Sequence, residues 1–488
     1  MKTRRRRTNR WSAIAAVVVV VAVLTMVSGC PDGSLLGLVG ENGELSADAD
    51  LSSLTVSEGE LIPAFDPATT EYTVSLDSAH TTVVVTGTPA DSRATVCDNS
   101  GAGQGLESGA NPITINVTAE DETTTKAYVV TVNRGAVGEV DTTFDPGGGV
   151  NGTVLAVAIQ PDGRIVIGGA FDRVDGIVRN YVARLNADGS VDSTFEPGAG
   201  ANDTVRALVV QGDGRIVIGG QFTSVGGAAR SGIARLNADG SLDTSFSADA
   251  NQTVRALAMQ SSGQIVIGGQ FTTVHGVPRA NIARLNSDGS LDADFDPGDG
   301  GWVRAVAVQS DDRVVIGGDF STVEGEARRY IARLNADGSV DHTFNPGSGA
   351  DESVYAVAVQ SDGRIVIGGD IYEVDGAPYN RVARLNANGS PDTTFDPGSG
   401  PNRLPEALAM QSDGRIVLGG NFSTVDGVTR NRIARLNSDG SLNGSFDPGL
   451  GANGSVNALA VQADGKVVMG GAFISVDGVT RNRIARLR

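Results

Sequence analysis

An all-β fold, a small β-sandwich followed by a seven-bladed β-propeller, is predicted by three features of the sequence. First, the run at 162–171, Asp-Gly-Arg-Ile-Val-Ile-Gly-Gly-Ala-Phe, returns six more times. Its glycine pair ends at Gly169, Gly220, Gly269, Gly318, Gly369, Gly420 and Gly471, giving steps of 51, 49, 49, 51, 51 and 51 residues. Second, the stretch 51–134 carries short segments of Val, Thr, Ile and Tyr bounded by turn residues. Third, no long segment sets apolar residues at helical spacing, and 66 glycines suit a turn-dense chain.

In chain order, the first feature is an address. Lys2, Arg4, Arg5, Arg6, Arg7 and Arg10 form a cationic segment, 11–27 is apolar, and Val27-Ser28-Gly29-Cys30 follows. The apolar run of 17 residues is shorter than the ~20 a spanning helix needs. The ending resembles the lipobox of bacterial lipoproteins, whose cysteine is lipidated and becomes the new N-terminus after cleavage. That resemblance implies a signal peptide over 1–29 and a lipid anchor at Cys30. It also implies residence in the bacterial cell envelope, at the outer membrane or cell surface. Two acyl chains anchor a protein stably where one does so only marginally. Residues 30–50, rich in Gly, Ser and acid, read as a flexible linker.

Strands are expected at 71–76, 81–86, 94–97, 113–118 and 127–132, within a two-sheet domain over 51–134. The spacing of Leu51, Leu54, Val56, Gly59, Leu61, Pro63, Phe65, Pro67, Tyr72 and Val74 resembles that of the bacterial cadherin-like β-sandwich domain. The resemblance implies a fold and a role as spacer, not an activity. Glu120, Asp121 and Glu122 raise calcium binding, but a hard cation takes six to eight oxygens gathered from several segments, and no Asp-x-Asp-x-Asp loop is present. Cys97 reads as a small core residue.

From 140 to 488 every repeat contains four pieces in one order; in the second copy they are 191–198, 205–211, 213–222 and 233–237. Four short strands per ~50 residues is the content of a propeller blade. Arg215-Ile216-Val217-Ile218-Gly219-Gly220 is apolar on both faces, as a strand flanked by neighbouring blades must be. Two glycines inside a strand cost entropy, so their return implies close backbone approach or a bulge. The segment 140–147 matches the outer piece of the other copies, and Arg486-Leu487-Arg488 falls where the next such piece would begin. We therefore expect the Val140 segment to close the ring. The repeats resemble the delta-60 repeat, a bacterial family assigned to β-propellers, which implies no particular activity.

Composition narrows the function. The formal charge is -19, and without the six leading cations it becomes (38 - 6) - 57 = -25. Such a surface repels phosphate backbones, so no nucleic-acid partner is expected. Two cysteines make no disulfide framework, and three histidines (His80, His275, His342) exclude a His-rich metal site, so neither metal nor cofactor is expected.

Arg184, Arg235, Arg284, Arg333, Arg384, Arg435 and Arg486 hold one position in all seven copies and read as structural partners of nearby Asp or carbonyls. The Asp-Gly-Ser-x-Asp segments, such as 188–192, are better explained by turn chemistry than by calcium. A site belongs where the copies differ. One position on the innermost strand reads Leu155, Arg206, Arg255, Arg304, Tyr355, Glu406 and Asn457. Three adjacent arginines beside a tyrosine suggest a cationic arc at the channel mouth, suited to an anionic glycan or an acidic peptide. The competing structural reading has these side chains lie between blades or pair with acids such as Asp203 and Asp299. Trp302, His275, Ile371-Tyr372-Glu373 and Pro378-Tyr379 are further departures from the repeat.

Propeller enzymes use paired carboxylates, His or a bound metal. Here no Ser/His/Asp order or HExxH stands out, and Glu406 has no evident partner. No catalytic residue is assigned. The expected function is a binding or interaction module. An enzyme acting on envelope or extracellular polysaccharide and a structural surface protein without a ligand are the alternatives.

Overall fold

The computed structural model describes residues 45–488 apart from 77–79, 108, 136 and 299. The expected signal peptide, the Cys30 anchor, most of the linker and Asp299 lie outside the described residues. Every element among the described residues is a strand.

The N-terminal unit has seven strands: β1 (Leu51–Val56), β2 (Glu71–Leu76), β3 (Thr82–Pro89), β4 (Thr95–Asp98), β5 (Gly103–Gly105), β6 (Gly109–Thr118) and β7 (Thr125–Arg134). They form two sheets, β1-β3-β5 and β2-β7-β6-β4. The period-2 pattern of the sequence is the burial pattern: Tyr72, Val74 and Leu76 on β2, Ile113, Ile115 and Val117 on β6, and Tyr128, Val130 and Val132 on β7 are all buried. Buried tyrosines need partners for their hydroxyls; Tyr128 donates to the Pro67 carbonyl (3.0 Å) and accepts from the Leu51 N–H (3.1 Å). The acids at 120–122 are spent locally. Asp121 caps a turn through Thr123 and Thr124, whose hydrogen bonds hold its carboxyl down to about 2. Glu120 pairs with Arg93 at 2.8 Å.

The C-terminal unit is a ring of seven blades. Their innermost strands are Thr153–Ile159, Val205–Val210, Val254–Met259, Gly300–Val308, Val354–Val359, Pro405–Met410 and Val456–Val461 for blades 1 to 7. In blade 2 this strand pairs antiparallel with Ile216–Gly220, which pairs with Ile233–Leu236. The expected fourth strand is shorter than the repeat suggested: it contributes one bridge, Leu236 to Leu242. The cause is the next residue. Asp243 turns its carboxylate onto the Ser245 N–H (2.9 Å) and hydroxyl (2.6 Å), which bends the chain away from the ladder. Each blade also carries a small hairpin that the repeat pattern did not announce, in blade 2 Ser224–Val225 with Ala228–Ala229.

The glycine pair does two jobs. A Cβ on Gly168 would lie 2.6 Å from Cγ1 of Val205, so the first glycine receives the inner strand of the next blade; Gly317 receives Val354 in the same way. A Cβ on Gly169 would lie 2.1 Å from the Thr153 carbonyl of its own blade, where the pairing shifts by one residue between Val154 and Ala156. Apolar layers form between blades: Val166 and Val182 of blade 1 are buried together with Val205, Ile216, Ile218 and Phe222 of blade 2. Each such fully buried side chain contributes about 1.5–3 kcal/mol.

The repeated arginine is the polar counterpart of this layer. Arg184, 3% exposed, donates through Nε to Asp192 (2.7 Å) of its own blade and through Nη1 to the Ala238 carbonyl (2.6 Å) of the next. Its guanidinium lies 4.8 Å from the centre of the Phe195 ring. Arg235, Arg284, Arg333 and Arg384 repeat the carboxylate pair with Asp243, Asp292, Asp341 and Asp392. Blade 6 departs: Arg435 meets Asn443 instead, at 3.1 Å. Burial, with Arg415 nearby, pushes its guanidinium down to about 10.

The ring closes through its first segment. Val140 bridges Leu487, Arg486 pairs with Asp141 (2.8 Å), and its Nη1 reaches the Ala187 carbonyl of blade 1 (2.7 Å). Val154 of blade 1 sits on Gly470 of blade 7.

Three outcomes follow from this architecture. Deleting 140–147 should abolish a single cooperative unfolding transition of the propeller; loss confined to local exchange near 484–488 would overturn the fastening role. Asn443→Asp should restore the missing ion pair and raise stability by about 1–3 kcal/mol, and Asp341→Asn should lower it by a similar amount, both read from denaturant midpoints.

The third concerns acid. Burial opposes ionisation of Asp141 and Asp392, but hydrogen bonds from Thr143 and Thr394 and the guanidiniums of Arg486 and Arg384 outweigh it and hold both carboxyls at about 2. Carboxyls held below the unfolded value of ~3.9 stabilise fully above that value and lose the contribution as pH falls toward 2. The urea midpoint should therefore drop steeply between pH 4 and pH 2, and a flat profile there would refute the assignment.

Candidate functional site

Each innermost strand begins at the same face of the ring, and the position just past its first buried residue points to the central channel. There the structure brings together all seven residues of the variable position. Leu155, Arg206, Arg255, Arg304, Tyr355, Glu406 and Asn457, with Leu404, line one cavity of about 350 Å³. All seven are half-buried.

The arginines are not equivalent. Arg304 is tied down: Nε donates to Asp319 at 2.8 Å, and its guanidinium lies 4.4 Å from the centre of the Tyr355 ring. Burial opposes its charge, but Asp319 outweighs that and raises it. Arg206 has a single long bond, Nη2 to the Gln221 amide oxygen at 3.3 Å, and its buried Nε is unmatched. Burial pushes its guanidinium down, with Asp203 pulling the other way. Arg255 has neither a hydrogen bond nor an ion pair among the described residues, and its buried Nε too is unmatched. Burial and then the positive charges of Arg206 and Arg304 push it down. A desolvated cation without an acceptor is costly.

Across the cavity the chemistry reverses. Burial pushes the Glu406 carboxyl up, against a hydrogen bond donated by the Asn457 amide of the next blade. That amide lies 51 residues on, and it is not a second carboxylate. The Asn457 amide oxygen and one oxygen of Asp319 remain unmatched. The cavity thus has unmatched donors on blades 2 and 3 and an unmatched acceptor, the Asn457 amide oxygen, on blade 7.

Arg304 pairs with an acid as the structural reading expects, and that acid is Asp319, which sequence reasoning had not singled out. Asp319 and Gln221 both follow the glycine pair, at a position that reads Ala170, Gln221, Gln270, Asp319, Asp370, Asn421 and Ala472. Variation directly after an invariant pair was the available signal.

Of the other departures, Trp302 is on the inner strand of blade 4 and 49% exposed. Tyr372 is exposed and stacked with Arg381 (4.7 Å). Tyr379 is buried, with its hydroxyl donating to the Asp392 carbonyl (3.1 Å). Ile371 is buried where the other blades place Phe. His275 contacts the Gly289 carbonyl through Nε2 (3.0 Å). None of them lines the mouth. The Asp-Gly-Ser turns consume their carboxylates: Asp188 accepts from the Ser190 N–H and hydroxyl at 3.0 and 2.6 Å.

Comparison with known proteins agrees with this architecture. A β-propeller domain of unknown function (DUF5122) matches seven times, at 160–195, 211–246, 260–295, 309–344, 360–395, 411–446 and 462–488. A cadherin-like β-sandwich domain matches 51–135. A protein of Evansella cellulosilytica named only as a membrane protein is 38% identical over 97 residues, spanning 18% of this chain and 14% of that relative's length. Among solved structures, the WD40 β-propeller domain of Doa1 matches at 14% identity and TM-score 0.47, over 72% of this chain and 96% of that one. Virginiamycin B lyase from Staphylococcus aureus matches at 13% identity and TM-score 0.46, over 69% and 94%. Neither likeness bears on what this chain does. The chain joins a cadherin-like β-sandwich domain to a propeller of seven DUF5122 repeats, and it belongs to the family of proteins that carry that β-propeller.

Proposed function

We propose that the protein is an envelope-tethered binding module whose propeller mouth takes a carboxylate-bearing ligand. One observation carries the reading: Arg255, half-buried between Arg206 and Arg304, has no acceptor among the described residues. In a chain of net charge -19, six of the seven repeat arginines are matched to a carboxylate, and Arg435 to an amide oxygen. Arg255 has no such partner, and a guanidinium fork is matched by a carboxylate. A cavity of about 350 Å³ is of the size that receives one small polar group rather than a folded domain.

Binding, rather than catalysis, is the reading this supports. Of the two carboxyls at the mouth, Asp319 is engaged by Arg304. Glycoside hydrolysis ordinarily works with a pair of carboxyls in distinct roles, and Glu406 alone remains. The tether rests on the cationic and apolar leader and on Cys30; the name of the Evansella relative is in keeping with it.

Calorimetric titration of the full chain in detergent with glucuronate should show binding that weakens as salt rises. Arg255→Ala should weaken it about 10- to 100-fold, the range for losing a charge-assisted hydrogen bond. Unchanged binding in the combined Arg206, Arg255, Arg304→Ala variant would sink the proposal. The tether has its own test: cells fed radioactive fatty acid should label the protein, and label that persists in Cys30→Ala would remove the anchor from that residue.

A further inference from the structure

Resting on the mouth reading above, we infer that the site continues outward through a notch between blades 2 and 3. On this inference the ligand is an acidic oligosaccharide, with its uronate unit in the mouth and a neutral sugar unit in the notch.

The notch is a cavity of about 320 Å³ lined chiefly by Asp203, Gln221, Thr223, Ser231, Gly232 and Gln252. It exists because of Gly232. The same place in the other blades is held by Tyr181, Asn281, Tyr330, Arg381, Arg432 and Arg483. Most of these reach across to the following blade. Tyr181 and Tyr330 pack on its core. Asn281 donates to the Gly300 carbonyl (2.7 Å), Arg432 to that of Ala452 (3.0 Å) and Arg483 to that of Val150 (3.2 Å). Gly232 has no side chain to send, so the seam between blades 2 and 3 stays open on the face where the mouth lies.

Mouth and notch share a wall. The Gln221 amide oxygen accepts from Arg206 in the mouth, and the same residue lines the notch. A ligand held by Arg206 and Arg255 therefore has its next unit at the notch.

The lining says what that unit is. Amide and hydroxyl side chains present donors and acceptors side by side, as adjacent sugar hydroxyls do. Asp203 at the rim repels a second carboxylate. A chain with an acid on every unit, such as oligoglutamate, is thereby disfavoured against one in which an acidic unit is joined to a neutral one.

Three probes test this on the full chain: glucuronate, a disaccharide of glucuronate linked to xylose, and di-glutamate. The disaccharide should bind about 5- to 10-fold tighter than glucuronate, the worth of one or two added hydrogen bonds. Gly232→Tyr should erase that gain and leave glucuronate within about twofold. The backbone tolerates it, since Tyr181 and Tyr330 hold φ of 64° and 65° where Gly232 holds 71°. A Cβ there lies 2.9 Å from the Gln252 carbonyl, so Gln252→Glu serves as a second variant. It copies Glu352 of blade 5 and should also cut the disaccharide gain.

Glucuronate binding without any disaccharide gain, or a gain that survives both variants, overturns the notch and leaves the mouth standing. An equal or larger gain with di-glutamate overturns the sugar assignment. No binding of any probe overturns the notch and the mouth together.

Discussion

A single buried guanidinium per blade is what the ring depends on. In six of the seven blades this arginine, a staple, holds the carboxylate that ends its own blade, lies over that blade's phenylalanine, and donates to a carbonyl of the next blade. One side chain thereby fixes the width of a blade and the spacing between blades. The Val-into-Gly contact supplies the shape of the joint, and the arginine supplies its polarity. Neither suffices alone, because apolar layers are non-directional and a buried ion without matched partners is a cost.

That contrast gives the mouth its meaning. Chemically the staple arginines and Arg255 are the same group, the former buried and the latter half-buried. The former meet oxygens on several sides, while Arg255 faces two more cations. Asn457 across the cavity forms the opposite case, an amide oxygen without a donor.

Much of this was legible in the sequence, for physical reasons. Glycines in strand interiors run against propensity, so seven copies of the pair announced a joint. One repeat position changing from leucine to arginine to glutamate announced the mouth. What escaped reading depends on geometry that spacing does not carry. The residue after the pair meets the inner strand because of the bulge at Val154 and Ala156, so spacing gave Asp319 and Gln221 no distinct role. The outer piece was read as a fourth strand because the competition of residues such as Asp243 for a nearby N–H is a local hydrogen bond, invisible to an apolar pattern. The Asn457 amide that meets Glu406 lies a whole repeat away.

Closure through the Val140 segment has a temporal side. The segment that fastens blade 7 is made first, and Asp141 meets Arg486 only 345 residues later. During synthesis it must wait, unpaired, while six seams form without it. Blades can dock in order as they appear, each on its predecessor, but the last seam has no predecessor to template it. A chain that opens with its own clasp commits the ring to an all-or-none final step, which favours completed copies and leaves truncated ones open to proteolysis.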